Sequence, residues 1–424
     1  MMYPRILVIS NNSFSHTSSN GRTLGNFFLD WPKECLAQFC ISTVEPAYDI
    51  CTNYYIVTDK SALDSFKHLK KAPRSNIENC INTEANTIIK SGKRSFKTST
   101  KSLLRHIVWK NRWNSASFWS WIDGFSPEIV FLMNSDATFI LDIATTVSKK
   151  RNIPLVMFNT EGYYFFKNDY NRQERAIDKL AFPIYQHIYR RYFEKTMQQV
   201  AFSIYCNSAL QEDYVNRFGG KNNVLYTGST LEFVSSDLHM ECPTFSYLGN
   251  FGYNRPKALV EVAETLQSIN TEYYLDVYGK APREEVIELF NATKGIRFHG
   301  MIPYDEVIKV MKNSTVLFHV EAQDECFKES LRYGFSTKIA DSISSGRCFV
   351  IYSSPDVAGA KYIRETGAGW FADNKNDLKQ VIIAILTDAD KRVEVLTKAK
   401  RIANENHNVN TNCDIFKQTL LSIL

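Results

Sequence analysis

The second half of the chain is governed by one pattern. Short apolar runs rich in β-branched and aromatic residues alternate with segments of helical periodicity, in a rhythm of about 25 residues. The strand-like runs fall at 244–249, 273–278, 295–299, 315–320, 348–353 and 368–371. Between them lie helical patterns at 255–269, 283–292, 303–312, 337–345 and 377–386, the third opened by Pro303 and the fourth stopped by Gly346. Strand, helix, strand in this order predicts a parallel, doubly wound sheet, with ligands received at the carboxyl ends of its strands.

The first half follows the same logic less regularly, with expected strands at 5–10, 53–58, 128–133, 154–158, 202–206 and 224–227. A chain of 424 residues also exceeds what one core organises. The expected fold class is therefore α/β: two Rossmann-like doubly wound domains facing across a cleft. An N-terminal domain spans 1–235, a C-terminal domain 236–404, and a last helix at 405–424 crosses back to the first domain. The hinge is expected near 228–243. Residues 74–100, rich in Ser, Thr, Asn and Lys with little periodicity, are expected to be a loop or insertion.

Composition narrows the class. Apolar residues make up 44% and charged residues 22%, and no run approaches the ~20 apolar residues that a membrane span needs. The opening MMYPRILVIS reads as a core strand and not as a signal peptide, so a cytoplasmic location is expected. Nine cysteines without a CxxC pair fit reduced thiols better than a disulfide framework or a zinc site. Asp388-Ala-Asp390 sits between helical patterns and not after a strand, so no metal is expected there. No P-loop, HExxH or GxSxG motif occurs.

The segment YGFSTKIADSISSG at 333–346, followed by the strand CFVIYSS, places a Ser-Thr-Lys turn at a helix start. Free backbone N–H groups and the helix dipole favour a phosphate there, and Lys338 adds a positive charge. Asp341 lies one turn further, where a carboxylate can accept ribose hydroxyls. On spacing alone Ser336 could equally be an N-cap and Asp341 a solvated helix residue. Arg255 opens another helix, where an arginine opposes the dipole unless an anion sits nearby.

These residues carry a resemblance. The 333–346 segment resembles the nucleotide-binding helix of GT-B glycosyltransferases related to family 4, with Gly334, Phe335 and Gly346 matching, Asp341 at the second acidic position and Tyr333 in place of the first glutamate. The segment YLGNFGYNRPKALVEVAETL at 247–266 is similar to the one in which a basic residue opens the helix after a glycine-ended strand, and FHGMIPY at 298–304 resembles the turn that reads the nucleobase. LLRHIVWKNRW and FWSWIDGFSPEIVFL, within 103–132, resemble the first lobe of bacterial capsule and cell-surface polysaccharide enzymes.

The resemblance implies transfer of a hexosyl-type sugar from a nucleotide-diphosphate donor to a glycan or lipid-linked acceptor, with retention and without metal or further cofactor. It implies donor contacts from Gly21, Arg255, His299, Met301, Ser336, Thr337, Lys338 and Asp341. Gly21 belongs to the polar loop NNSFSHTSSNGRT at 11–23, which without the resemblance reads as a plain surface loop. His299 by itself reads as a packed histidine. Arg255 and Lys338 are the expected charges on the leaving diphosphate. Glu161 in NTEGYY stands where family members carry a histidine beside the sugar, and it serves either in the chemistry or as a loop cap or acceptor ligand.

Residues 90–121 interleave Lys90, Lys93, Arg94, Lys97, Lys101, Arg105, Lys110 and Arg112 with Trp109, Trp113, Trp119 and Trp121. That pattern suits a peripheral contact with an anionic membrane, or a solvated helix whose tryptophans are core. No nucleic-acid motif accompanies it, and no nucleic-acid partner is expected. A nucleotide-sugar epimerase and a non-catalytic two-lobed sugar-binding protein are the alternative functions.

Overall fold

The computed structural model describes residues 3–16, 19–41, 45–68, 70–72, 74, 98–168, 175–234, 238, 240–281 and 283–424. The chain forms two compact units, one of Met1–Leu225 with Cys413–Leu424, the other of Tyr226–Asn412.

The first unit runs β1 (Ile6–Ser10), α1 (Ser19–Asn26), β2 (Leu36–Ile41), β3 (Asn53–Val57), α2 (Asp59–Lys67), α3 (Ser99–Trp109), α4 (Ala116–Phe125), β4 (Ile129–Met133), α5 (Thr138–Arg151), β5 (Leu155–Asn159), α6 (Ala176–Met197), β6 (Val200–Tyr205), α7 (Ser208–Phe218) and β7 (Asn222–Val224). Its seven strands are all parallel, in the order β3-β2-β1-β4-β5-β6-β7, with Ile6 of β1 opposite both Leu36 and Ile129. Strands β1, β4 and β5 are buried at every position, as helices on both faces of a parallel sheet require.

The second unit runs β8 (Phe245–Leu248), α8 (Arg255–Ile269), β9 (Leu275–Tyr278), α9 (Glu284–Ala292), β10 (Ile296–Gly300), α10 (Tyr304–Asn313), β11 (Val316–Val320), α11 (Glu325–Leu331), α12 (Thr337–Ser344), β12 (Cys348–Tyr352), α13 (Ala358–Thr366), β13 (Trp370–Ala372), α14 (Lys375–Thr387) and α15 (Ala389–Asn406), before α16 (Val409–Leu421). Its six strands are parallel in the order β10-β9-β8-β11-β12-β13. Gly346 ends the turn after α12 with a left-handed φ of 74°, where a Cβ would lie 2.4 Å from the Val234 carbonyl oxygen. Both sheets therefore reverse their strand order once, between β1 and β4 and between β8 and β11, and each reversal opens a crevice at the strand carboxyl ends.

Several expectations shift. β2 was not foreseen. The buried Gln38 interrupts its apolar run, its amide accepting from Phe14 N at 3.0 Å and donating to Ser10 Oγ at 2.8 Å. The strand expected at 224–227 lies at Asn222–Val224. The expected boundary at 235 falls within the second unit, to which 226–234 are bonded: Thr227 O accepts from His407 at 2.9 Å and Ser229 Oγ donates to Asp341 at 2.9 Å. The helix expected at 405–424 is divided between the end of α15 and α16, with His407 capping α15. Its later part packs Phe416 against Phe27, Phe28 and Phe131, at ring separations of 5.1, 5.0 and 5.2 Å. Asp388 caps the start of α15 by accepting from Lys391 N at 2.8 Å, so the DxD-like triplet is a helix N-terminus.

The loop expected at 74–100 and the hinge at 228–243 lie partly outside the described residues, as do Lys90, Lys93, Arg94 and Lys97. The tryptophans that follow are core or near-core. Trp109 and Trp113 are buried, Trp109 stacks on Phe139 at 4.7 Å, and Trp121 Nε1 donates to Asn53 Oδ1 at 2.6 Å. Trp119 lies beneath Lys150 and Arg151. The aromatic half of the expected membrane contact is thus spent on packing. No helix among the described residues is long and apolar enough to cross a membrane.

Candidate functional site

The second unit holds the denser cluster of functional groups. After β8 the chain passes Gly249 and Asn250 and reaches Arg255 through Tyr253 and Asn254, both left-handed with φ of 52° and 58°. Two consecutive non-glycine residues in that region signal a conformation imposed by its surroundings. They set the Arg255 side chain against the end of β11. There Nε donates to Glu321 Oε2 at 2.9 Å and Nη2 to Oε1 at 2.7 Å, while Nε also reaches the Val320 carbonyl at 3.1 Å and Nη1 bonds Asn250 Oδ1. His319 Nε2 meets the same Glu321 Oε1 at 3.0 Å.

The side chains of Arg255 and Glu321 are only 10% and 3% exposed. Burial alone would raise the pKa of Glu321, but the charges of Arg255 and His319 outweigh it and hold the carboxyl at about 2. Burial alone would lower the Arg255 guanidinium, and Glu321 reverses that shift upward. The anion that the helix dipole demanded beside Arg255 is therefore supplied by the protein itself. Neither Glu321 nor His319 was anticipated; the signal in the sequence was an acidic residue directly following an apolar strand.

Helix α12 begins on the same edge, since a helix joining parallel strands returns antiparallel to them. Ser336 is its N-cap and accepts from Lys338 N at 3.2 Å. Thr337 and Lys338 form the first turn, with the Lys338 ammonium 6.0 Å from the Tyr304 ring centroid. Tyr333, in the position of the family's glutamate, is buried.

Asp341, one turn on, is also buried and accepts from Ser229 Oγ. The solvated-helix alternative is excluded for it, and the hydroxyl it accepts from belongs to a serine of this chain. Beside it His407 is enclosed: Nδ1 donates to the Thr227 carbonyl, which can only accept, so Nε2 accepts from Tyr362 Oη at 2.9 Å.

His299, next to last in β10, stacks on Tyr278 at 4.5 Å with Nε2 2.7 Å from Asp276 Oδ1, and Met301 just beyond the strand is 74% exposed. Gly279, at the carboxyl end of β9, has φ 155°, and a Cβ there would meet the Gly249 carbonyl at 2.0 Å, so the backbone at this edge stays bare. Arg255, Ser336, Thr337, Lys338, His299 and Met301 thus all belong to the carboxyl edge of one sheet.

The first unit holds the other two predicted residues. Gly21 lies in the first turn of α1 and not in the preceding loop, which Gln38 latches through the Phe14 amide and the Asn12 carbonyl. Glu161 follows β5, half-buried, and its charge adds to the burial that pushes the Cys206 thiol up to about 12. At the end of β4, Asn134 donates to Asn159 Oδ1 at 2.9 Å and accepts from Tyr189 Oη at 3.1 Å.

Residues 242–388, spanning every strand of the second sheet, match the family model of group 1 glycosyl transferases. Solved structures align over the whole length. Anabaena HepE in complex with UDP superposes with a TM-score of 0.63 at 13% identity, covering 99% of this chain and 100% of that one. The chain has the GT-B fold, and residues 242–388 of its second unit are similar to group 1 glycosyl transferases. Sucrose-phosphate synthase from Thermosynechococcus elongatus (TM-score 0.61, 11% identity, 100% and 99% covered) and α,α-trehalose 6-phosphate synthase from Burkholderia multivorans (0.60, 11%, 100% and 97%) share the architecture. No curated protein matches the chain by sequence. Within the matched residues, the strand-order reversal falls between β8, which precedes Arg255, and β11, which Glu321 follows.

Proposed function

We propose that the protein transfers a hexosyl-type sugar from a nucleotide-diphosphate donor to a glycan or lipid-linked acceptor, in the cytoplasm, in the synthesis of surface polysaccharide. The observation that carries this reading is the coincidence of the group 1 glycosyltransferase match with a buried arginine at the switch point and a lysine-bearing helix N-terminus on the same sheet edge. HepE was solved with UDP and with UDP-glucose, which supports a uridine nucleotide donor.

In this reading Arg255 and Lys338 neutralise the charge that develops on the leaving diphosphate, helped by the first-turn amides of α12. Glu321 fixes the guanidinium plane in advance, so little reorganisation accompanies the reaction. His299 and Met301 flank the nucleobase. Asp341 receives a ribose hydroxyl by exchanging it for Ser229. Gly21 and Glu161 serve the sugar and the acceptor from the first unit, with retention at the anomeric carbon and no metal.

Purified protein incubated with UDP-, GDP-, dTDP- and CMP-sugars tests the reading. Release of one nucleoside diphosphate, rising when a membrane extract supplies acceptor, is the expected result. Conversion of a sugar nucleotide to its isomer without acceptor, or no binding of any donor, would overturn it.

A further inference from the structure

We propose that the exposed faces of α3 and α6 in the first unit form a docking surface for an anionic lipid bilayer. The two helices lie side by side: Thr100 N donates to Asp178 Oδ1 at 2.9 Å near their starts, and the His106 and Tyr192 rings meet at 5.5 Å further along. On α6 the positions 177, 180, 184, 187, 191 and 195 form one helical stripe. Its first three turns expose Ile177, Leu180 and Ile184, at 57%, 72% and 55%, and its later turns expose His187, Arg191 and Lys195. Helix α3 exposes Leu104 and Ile107 between Lys101 and the capping Lys110.

Helix α3 carries no Asp or Glu, and on α6 the partly exposed Glu194 is engaged by Tyr164 Oη at 2.6 Å and by Arg217 at 3.7 Å. Asp178 is buried against Thr100, and Asp59, which touches α3 from α2, is engaged by Arg105 Nε at 2.8 Å and Trp109 Nε1 at 2.7 Å. Exposed aliphatic side chains bordered by lysines and arginines are the composition of an interfacial helix that sinks its apolar face among acyl chains and sets its cations at the headgroups. Protein interfaces favour aromatic residues and disfavour lysine, and these exposed positions show the reverse. The surface keeps Lys101 and Lys110 of the 90–121 segment that the sequence suggested but not its tryptophans, which pack against the first unit. Nor does it depend on the transferase reading.

The test is co-sedimentation of the full chain with vesicles of phosphatidylcholine alone and of equal parts phosphatidylcholine and phosphatidylglycerol. The protein is expected to pellet with the anionic vesicles only, and to be released by high salt. Leu180→Glu with Ile184→Glu is expected to weaken binding by about tenfold or more, and Lys101→Glu with Lys110→Glu by a similar factor. Both pairs are exposed, so circular dichroism and thermal melting should match wild type. Wild-type protein that stays in solution with anionic vesicles would overturn the proposal, as would a Leu180→Glu/Ile184→Glu protein that binds them undiminished. Light scattering covers the remaining occupant: a wild-type dimer that this double variant splits would assign the face to a second copy and overturn the lipid reading.

Discussion

Removing Arg255 alone leaves the Glu321 carboxylate buried beside a single histidine. Breaking a buried pair from one side typically costs about 3–5 kcal/mol, whereas replacing both partners by apolar residues of similar volume is often close to neutral. Arg255→Met is therefore expected to lower stability in urea denaturation far more than Arg255→Met with Glu321→Met. The double variant, folded, then isolates the proposed role in binding. It should bind a nucleoside as wild type does and a nucleoside diphosphate about tenfold or more weakly, the worth of a charged hydrogen bond. Equal affinity for the diphosphate would reduce Arg255 to a structural residue. Asp341 is separable by similar reasoning. If its carboxylate exchanges Ser229 for a ribose hydroxyl, Asp341→Ala weakens nucleotide binding by about tenfold or more while Ser229→Ala leaves it intact or strengthens it. Calorimetric titration of both variants decides, and two equal losses would mean that the pair only supports helix α12.

At the scale of elements, the junction of α12, α13 and the end of α15 is held by a histidine that stays neutral. Burial, opposed in part by the Thr227 carbonyl and the Asp341 charge, lowers the pKa of His407 to about 4 from 6.5. Between those values the unfolded chain takes up a proton that the folded chain refuses, so this contribution is complete above pH 6.5 and is lost as pH falls towards 4. The loss is on the order of 3 kcal/mol. His407→Gln, which can still donate to Thr227 and accept from Tyr362, should flatten that part of the stability profile in denaturation at stepped pH. A further decline from about pH 4.5 to about 2 belongs to Glu321, whose folded pKa is depressed. What was legible among the elements follows from the same physics. Strands such as β1 and β12 are buried at every position because helices cover both faces, and their largely apolar runs stand out. β2 was missed because Gln38 breaks its run, and that glutamine is there to bond the loop after β1. Helix α11 was missed because seven residues are too few to show a period.

Taken as a whole, the molecule was legible where function depends on backbone geometry and opaque where it depends on side-chain pairing. The glycine-ended strands and the lysine at the start of α12 can be read in one dimension. The Arg255–Glu321 pair joins residues 66 positions apart, and nothing in either segment names the other. The last residues of the chain, Cys413–Leu424, group with the first unit. Phe416 sits among Phe27, Phe28, Trp31 and Phe131 with no exposed surface, so the core formed by the first 225 residues is incomplete until the final helix joins it. Truncating a buried phenylalanine costs about 3–5 kcal/mol through lost burial and the cavity left behind. Phe416→Ala is therefore expected to lower the melting transition of the first unit. Hydrogen exchange should locate the damage, with faster exchange across β1 and β4 and unchanged protection in β11 and β12. Unaltered protection of β1 and β4 would show that the first sheet is stable without its C-terminal helix.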